Sequence, residues 1–275
     1  MEQIKKNKKV FTILLLSALG GLILFAIFSM TLDVPFLIAV YLVIAVICLA
    51  LFYYLKITKP FKENIIPEVL KEYKPTLEFI PTLTEKQDYI DLIRTNKLIP
   101  SATSFQFTDG IIDDYESNKI ISFDLHATHT QSNGKSSTTV TDFKGRFYDI
   151  EYKGFACNFI IKEEILKRIP EGYTFLELEH IESNNVFNIY VTDKHEAFKV
   201  FTPSVIKKYY ELAGTDEFKT ITHHKDGHLY IYIYNSENLF ENSGDDYKEA
   251  IINDYKKQYE DALEYINIFN YYELD

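Results

Sequence analysis

The sequence predicts an α+β protein in which an N-terminal hairpin of two transmembrane helices precedes a soluble domain built on a mostly antiparallel sheet with flanking helices. Three observations carry this reading. Residues 10–32 and 34–55 contain no charged side chain and are separated by Asp33 alone; each run exceeds the roughly 20 residues a helix needs to cross a hydrocarbon core. The 21 Tyr and 21 Phe, with no Trp beside them, fall largely in runs where apolar and polar residues alternate, the period of a strand with one buried face. Finally, Asp226-Gly227 stands between two such runs, and this residue pair tolerates the positive φ of a tight hairpin turn.

The anchor comes first. Thr31, Leu32, Asp33, Val34 and Pro35 supply turn chemistry between the two runs. Lys5, Lys6, Lys8 and Lys9 precede the first run and Lys56, Lys59 and Lys62 follow the second, while the connection has no basic residue. The positive-inside rule then puts both termini in the cytoplasm. A cleaved secretory signal also begins with lysines before an apolar stretch, but its core is only about 7 to 15 residues long and no second span follows it. Tyr53 and Tyr54 fall where an interfacial aromatic belt is expected. The expected organisation is a membrane anchor over 1–62, a soluble α+β domain over 63–241 and an amphipathic C-terminal helix within 242–275.

In the soluble part, Ile65, Ile66, Val69, Leu70 and Tyr73 recur at helical spacing around Pro67, and Pro75 ends the pattern. Thr84 and Gln87 read as a capping box for a second helix ending near Asn96. These two helices are expected to precede the sheet. From Ser104 to Ile161 the pattern is strand-rich, with a hairpin whose polar tip runs from Gln131 to Ser137 and whose return strand carries Val140, Phe143, Phe147 and Ile150. Phe155–Ile161, Tyr173–Leu178 and Val186–Val191 give three more strands, the last two separated by a loop with Asn184 and Asn185. Thr202 as N-cap, Pro203 in the first turn and Gly214 beyond the end predict a helix over 203–213. Phe218–His224 and His228–Tyr234 flank the Asp226-Gly227 turn. From Asp245 to Phe269 an apolar stripe with charges opposite predicts a long helix that packs on the sheet or on a partner.

The net charge of −11 is unevenly spread. Residues 1–62 hold seven Lys against Glu2 and Asp33, a net +5, which leaves −16 on the remainder. Such a domain repels phosphate backbones, so nucleic acid is not expected as a partner, whereas basic ligands and proteins suit it. Of the two cysteines, Cys48 lies in an apolar run and Cys157 in a strand-like one, so no disulfide framework is available, consistent with a reducing compartment.

Candidate chemistry is sparse. His223, His224 and His228 cluster around a turn, and imidazoles are common metal ligands, so these three are the candidate metal ligands; exposed hairpin histidines are the competing reading. His126 and His129, three apart in a strand, point to opposite faces. Asp113, Asp114 and Glu116 read as solvated acids in a turn before a strand. The serines and Cys157 lack the context of an activated nucleophile, and ten glycines leave little scope for a phosphate loop. The tyrosines alternating through Tyr230, Tyr232 and Tyr234 read as a packed sheet face rather than a stacking platform. No catalytic residue and no cofactor is assigned.

The two-run N-terminus, Phe143-Lys144-Gly145-Arg146-Phe147 after a hairpin strand, Phe187–Val191 followed by Asp193, Phe201-Thr202-Pro203-Ser204 opening a helix, and Leu229–Tyr234 with Asn238-Leu239-Phe240 together resemble the bacterial "domain of unknown function 3137" family. The resemblance runs from about residue 10 to residue 241 and leaves the terminal helix outside. It implies a bacterial, membrane-anchored protein with no active site to carry over. The resulting expectation is a binding or regulatory module of the plasma membrane with two spans, held in the lipid bilayer and recruiting a protein or small ligand. The alternative is a membrane-associated metal-dependent hydrolase using the histidine cluster.

Overall fold

The computed structural model of the protein describes residues 61–270, apart from 84–86, 116–117, 133–135, 153, 163–168, 179–185, 214–219, 236–238 and 241–245. Both expected membrane spans lie outside these residues, as do Thr84 of the expected capping box, Asn184 and Asn185, and Gly214. Among the described residues no helix is long and apolar enough to cross a membrane. The chain divides into two compact units, Met1–Pro67 and Glu68–Asp275. What is described of the first is a π-helical turn, Phe61–Ile65, and the start of helix α1, Ile66–Tyr73.

The second unit is an α+β domain. After α1 come β1 (Glu78–Thr82), α2 (Gln87–Thr95), β2 (Ser104–Tyr115), β3 (Asn118–Ser132), β4 (Ser137–Glu151), β5 (Phe159–Lys162), β6 (Thr174–Leu176) and β7 (Asn188–Val191). Then follow α3 (Lys194–Val200), α4 (Pro203–Ala213), β8 (Thr220–Lys225), β9 (His228–Tyr234) and α5 (Tyr247–Asn270). The nine strands form one sheet in the order β1-β2-β3-β4-β9-β8-β5-β7-β6, and each neighbouring pair is antiparallel. The first four strands make a meander. The chain then skips two positions to lay down β5, and the late β8–β9 hairpin fills the gap.

Local chemistry fixes the turns and joints. At Asp226 and Gly227 φ is +52° and +84°, the primed turn whose twist suits a two-residue hairpin. The seam between β4 and β9 needs Gly145, because a Cβ there would meet the Ile233 carbonyl oxygen at 2.0 Å. Asp109, at φ +52°, sits in a bulge where Thr108 pairs with Asp124 and Ile111 with Ser122. A second bulge falls between the Ala127–Phe143 and Thr128–Thr141 pairs. Asp193 caps α3 by accepting from the backbone N–H groups of His195 and Glu196 at 2.8 and 3.2 Å, and Thr202 Oγ1 accepts from Val205 N–H at the start of α4.

Two cores lie on the two faces. On one, Tyr148, Ile150, Phe159, Ile189, Leu229 and Ile231 pack with Val200 of α3, Val205 and Tyr209 of α4, and Ala262, Ile266 and Phe269 of α5. The terminal helix therefore covers the sheet. On the other, Phe107, Phe123, Phe143, Phe147 and Tyr232 pack with Ile93 of α2 and with Leu98, Ile99 and Ala102 of the connection after it. Phe123 and Phe147 stack at 4.5 Å, and Tyr232 is wholly buried.

Three features depart from the sequence reading. β1 lies between α1 and α2, so the two helices do not both precede the sheet; Pro81 disguises β1, and proline is tolerated there because the strand is an edge. α3 is an added helix of seven residues, short enough that its cap rather than its periodicity marks it. Asp113 and Asp114 belong to β2 rather than to a solvated turn, and Asp113 is only 3% exposed.

Candidate functional site

The three candidate metal ligands lie on the β8–β9 hairpin, where strand alternation sorts them. His223 pairs with Tyr230, His224 with Leu229 and Lys225 with His228, so His223 and His228 share one face and His224 takes the other. His224 Nδ1 donates to the Cys157 carbonyl at 2.9 Å, and its ring lies among Phe155 and Phe159. His223 is completely buried. Its Nε2 lies 3.3 Å from the Tyr173 hydroxyl, and its Nδ1 has no hydrogen-bond partner. Burial, with Lys225 and His224 adding to it, pushes its pKa down to about 3, so the ring is neutral. The three imidazoles do not converge, and among the described residues no group of three or more His, Cys, Asp or Glu side chains is placed to hold a metal ion.

Of these three, His228 has a carboxylate within hydrogen-bond distance. Its Nδ1 lies 2.7 Å from Asp149 Oδ1, and Asp149 Oδ2 accepts from the Tyr89 hydroxyl of α2 at 3.0 Å. The His228 ring stacks on Tyr230 at 5.8 Å and 12°, and Tyr230 stacks in turn on Phe147. Burial, then Asp149 and Asp226, raises the Tyr230 hydroxyl pKa, so its phenol is neutral. It ties α2 to the centre of the sheet. His126 and His129 have separate partners, the Thr141 hydroxyl at 3.2 Å and Asp142 at 2.8 Å. The Cys157 thiol is buried and pushed up to about 11, chiefly by desolvation.

Asp113 is the site residue that the sequence concealed. It pairs with Ile120 across β2 and β3 and faces α5, where one carboxylate oxygen accepts from the Tyr255 hydroxyl at 2.7 Å and the other from the Lys74 ammonium. Lys74 also donates to the Asp114 carbonyl at 3.2 Å and lies over the Tyr259 ring. A small cavity beside this cluster is lined by Asp113, Ser122, Tyr148, Tyr255 and Gln258 among others. Its free space of about 10 Å³ is the size that holds one water, and the buried Gln258 carboxamide, unpartnered at both Nε2 and Oε1, suits such a bridge. No signal in the sequence separates Asp113 from Asp114; only the strand parity does.

The remaining feature is an arm. β2 stops pairing with β3 at Thr128, and β9 stops pairing with β4 at Gly145, one further bond joining Asn235 N–H to the Lys144 carbonyl. Beyond these points β3 and β4 continue together to Ser132 and Ser137. No described residue between Thr128 and Asp142 belongs to either core. Gln131, Ser132, Ser137, Thr138, Thr139 and Thr141 are exposed. The arm is a polar two-stranded ribbon standing clear of the packed sheet.

Fold and site thus define a class: an antiparallel nine-stranded α+β domain with helices on both faces and a projecting β-ribbon. Residues 141–270 match the family model described as "Protein of unknown function (DUF3137)", and over that stretch the resemblance read from the residues holds. The match takes in the terminal helix, which that resemblance had left outside, and begins after the N-terminal half. No curated protein matches the chain. Among solved structures, the crystal structure of the mycobacterial trehalose monomycolate transport factor A, TtfA, is similar at a TM-score of 0.41 and 8% identity, over 71% of this chain and 94% of that one.

Proposed function

We propose that the protein is a non-catalytic binding or regulatory module, tethered to the cytoplasmic face of a bacterial plasma membrane by the apolar runs of residues 10–32 and 34–55, and that it holds a protein partner through the β3–β4 arm. The observation that carries the reading is the arm itself. Ordering each of its residues costs on the order of 1–2 kcal/mol of backbone entropy, and it contributes nothing to either core in return. A ribbon of this kind serves contacts outside the domain. The lysines flanking the two apolar runs support the tether and its orientation.

The test is affinity capture of the full chain from gently solubilised native membranes, beside a variant in which residues 129–141 are replaced by a two-residue turn. The expected result is a stoichiometric protein partner that the shortened variant loses while its sheet remains folded. Retention of the same partner by the shortened variant overturns the assignment to the arm. Recovery of the full chain from the soluble fraction overturns the tether.

A further inference from the structure

Resting on the binding reading above, we propose that the arm takes its partner by strand addition: an extended, basic segment of another protein pairs along the outer edge of β4 between Ser137 and Thr141, short of Asp142, whose carbonyl accepts from the Tyr234 hydroxyl. The edges of the sheet proper are guarded. β1 carries Pro81, and β6 at the far side is only three residues long, both of which discourage edge pairing. The arm has no such guard, because no proline or lysine occurs in Thr128–Ser132 or Ser136–Asp142.

The hydrogen-bond parity identifies the open groups. The Thr128 carbonyl accepts from Thr103 N–H of the β2 side at 2.8 Å, so Thr128 turns its backbone away from β4. Its neighbour His129 therefore bonds toward β4 and its partner Val140, and the next pair, Thr130 with Thr139, points outward on both strands. Thr139 and Thr141 thus aim N–H and C=O groups along the β4 edge, where no described strand pairs them. A strand added there gains main-chain hydrogen bonds of the kind that drive β-augmentation. Charge selects the occupant: the chain beyond residue 62 carries −16, which disfavours a second copy and attracts a basic segment.

The test uses the full chain in mild detergent with two synthetic peptides of about eight residues, one alternating lysine and valine and one alternating glutamate and valine. Binding is read by hydrogen exchange at the Thr139 and Thr141 amides. The lysine peptide is expected to slow exchange there and to bind about tenfold or more tighter than the glutamate peptide. Thr139→Pro removes an outward donor without touching the β3 ladder, and is expected to weaken the lysine peptide by about tenfold while the His129 and Val140 amides remain protected. Equal binding to Thr139→Pro, or absence of protection on the arm, overturns strand addition. If that happens while the shortened variant still loses its membrane partner, the binding reading stands and only the mode of pairing falls.

Discussion

Asp113 adjoins Asp114 in the sequence, yet Asp114 is exposed and Asp113 is buried between Lys74 and Tyr255. Removing Lys74 leaves a buried carboxylate one charge-assisted hydrogen bond short. Lys74→Met should therefore lower the stability of the chain by roughly 2 kcal/mol, below the 3–5 kcal/mol for breaking a wholly buried pair because Lys74 is partly solvated. Urea unfolding measures it, and an unchanged midpoint would show that Tyr255 alone suffices. His223 gives a pH dependence of definite sign. Its pKa is near 6.5 in the unfolded chain and about 3 in the folded one, so the unfolded chain binds the extra proton between those values. The contribution of His223 is complete above pH 6.5 and declines as pH falls through that window toward 3; His224 is shifted in the same direction by burial. His223→Gln should flatten the loss of stability between pH 6.5 and 4, read as urea midpoints across that range.

Among the elements, those ruled by local chemistry were legible. The Asp226-Gly227 hairpin, the helix Pro203–Ala213 and the long helix from Tyr247 lie where turn residues, caps and periodicity put them. The return strand of the β3–β4 pair carries Phe143 and Phe147 on one face and Ile150 on the other, each buried in the core of its own side. What was not legible depends on neighbours distant in sequence: an edge position that tolerates Pro81, the parity that buries Asp113, and the face on which each histidine lands. α3 falls between, since its signal is one side chain. Asp193→Ala removes the acceptor for two N–H groups and should cost about 1 kcal/mol, with Asp193→Asn nearly neutral; thermal unfolding of the two variants distinguishes capping from charge.

At the scale of the molecule, the seam between β4 and β9 joins the meander to the rest of the sheet, and Gly145 sets how closely the two strands approach. Gly145→Ala places a methyl group against the Ile233 carbonyl and must push the strands apart, with an expected loss of roughly 3 kcal/mol or more. Guanidinium unfolding would register it, and a loss below 1 kcal/mol would mean that β9 can shift without cost. The alternation was read as strands with one buried face; that both faces carry a core, and which helices cover each, depends on how the chain crosses the sheet.

That crossing has a consequence for synthesis. Since β8 and β9 occupy the positions between β5 and β4, a nascent chain that has emerged only as far as α4 holds two separate pieces of sheet, each with an edge awaiting its neighbour. The ribosome releases the joining hairpin late, and α5 later still. Until then the edge of β4 from Gly145 to Glu151 waits unpaired, and chaperones that shield strand edges would have their longest opportunity in the interval before Tyr234 leaves the exit tunnel.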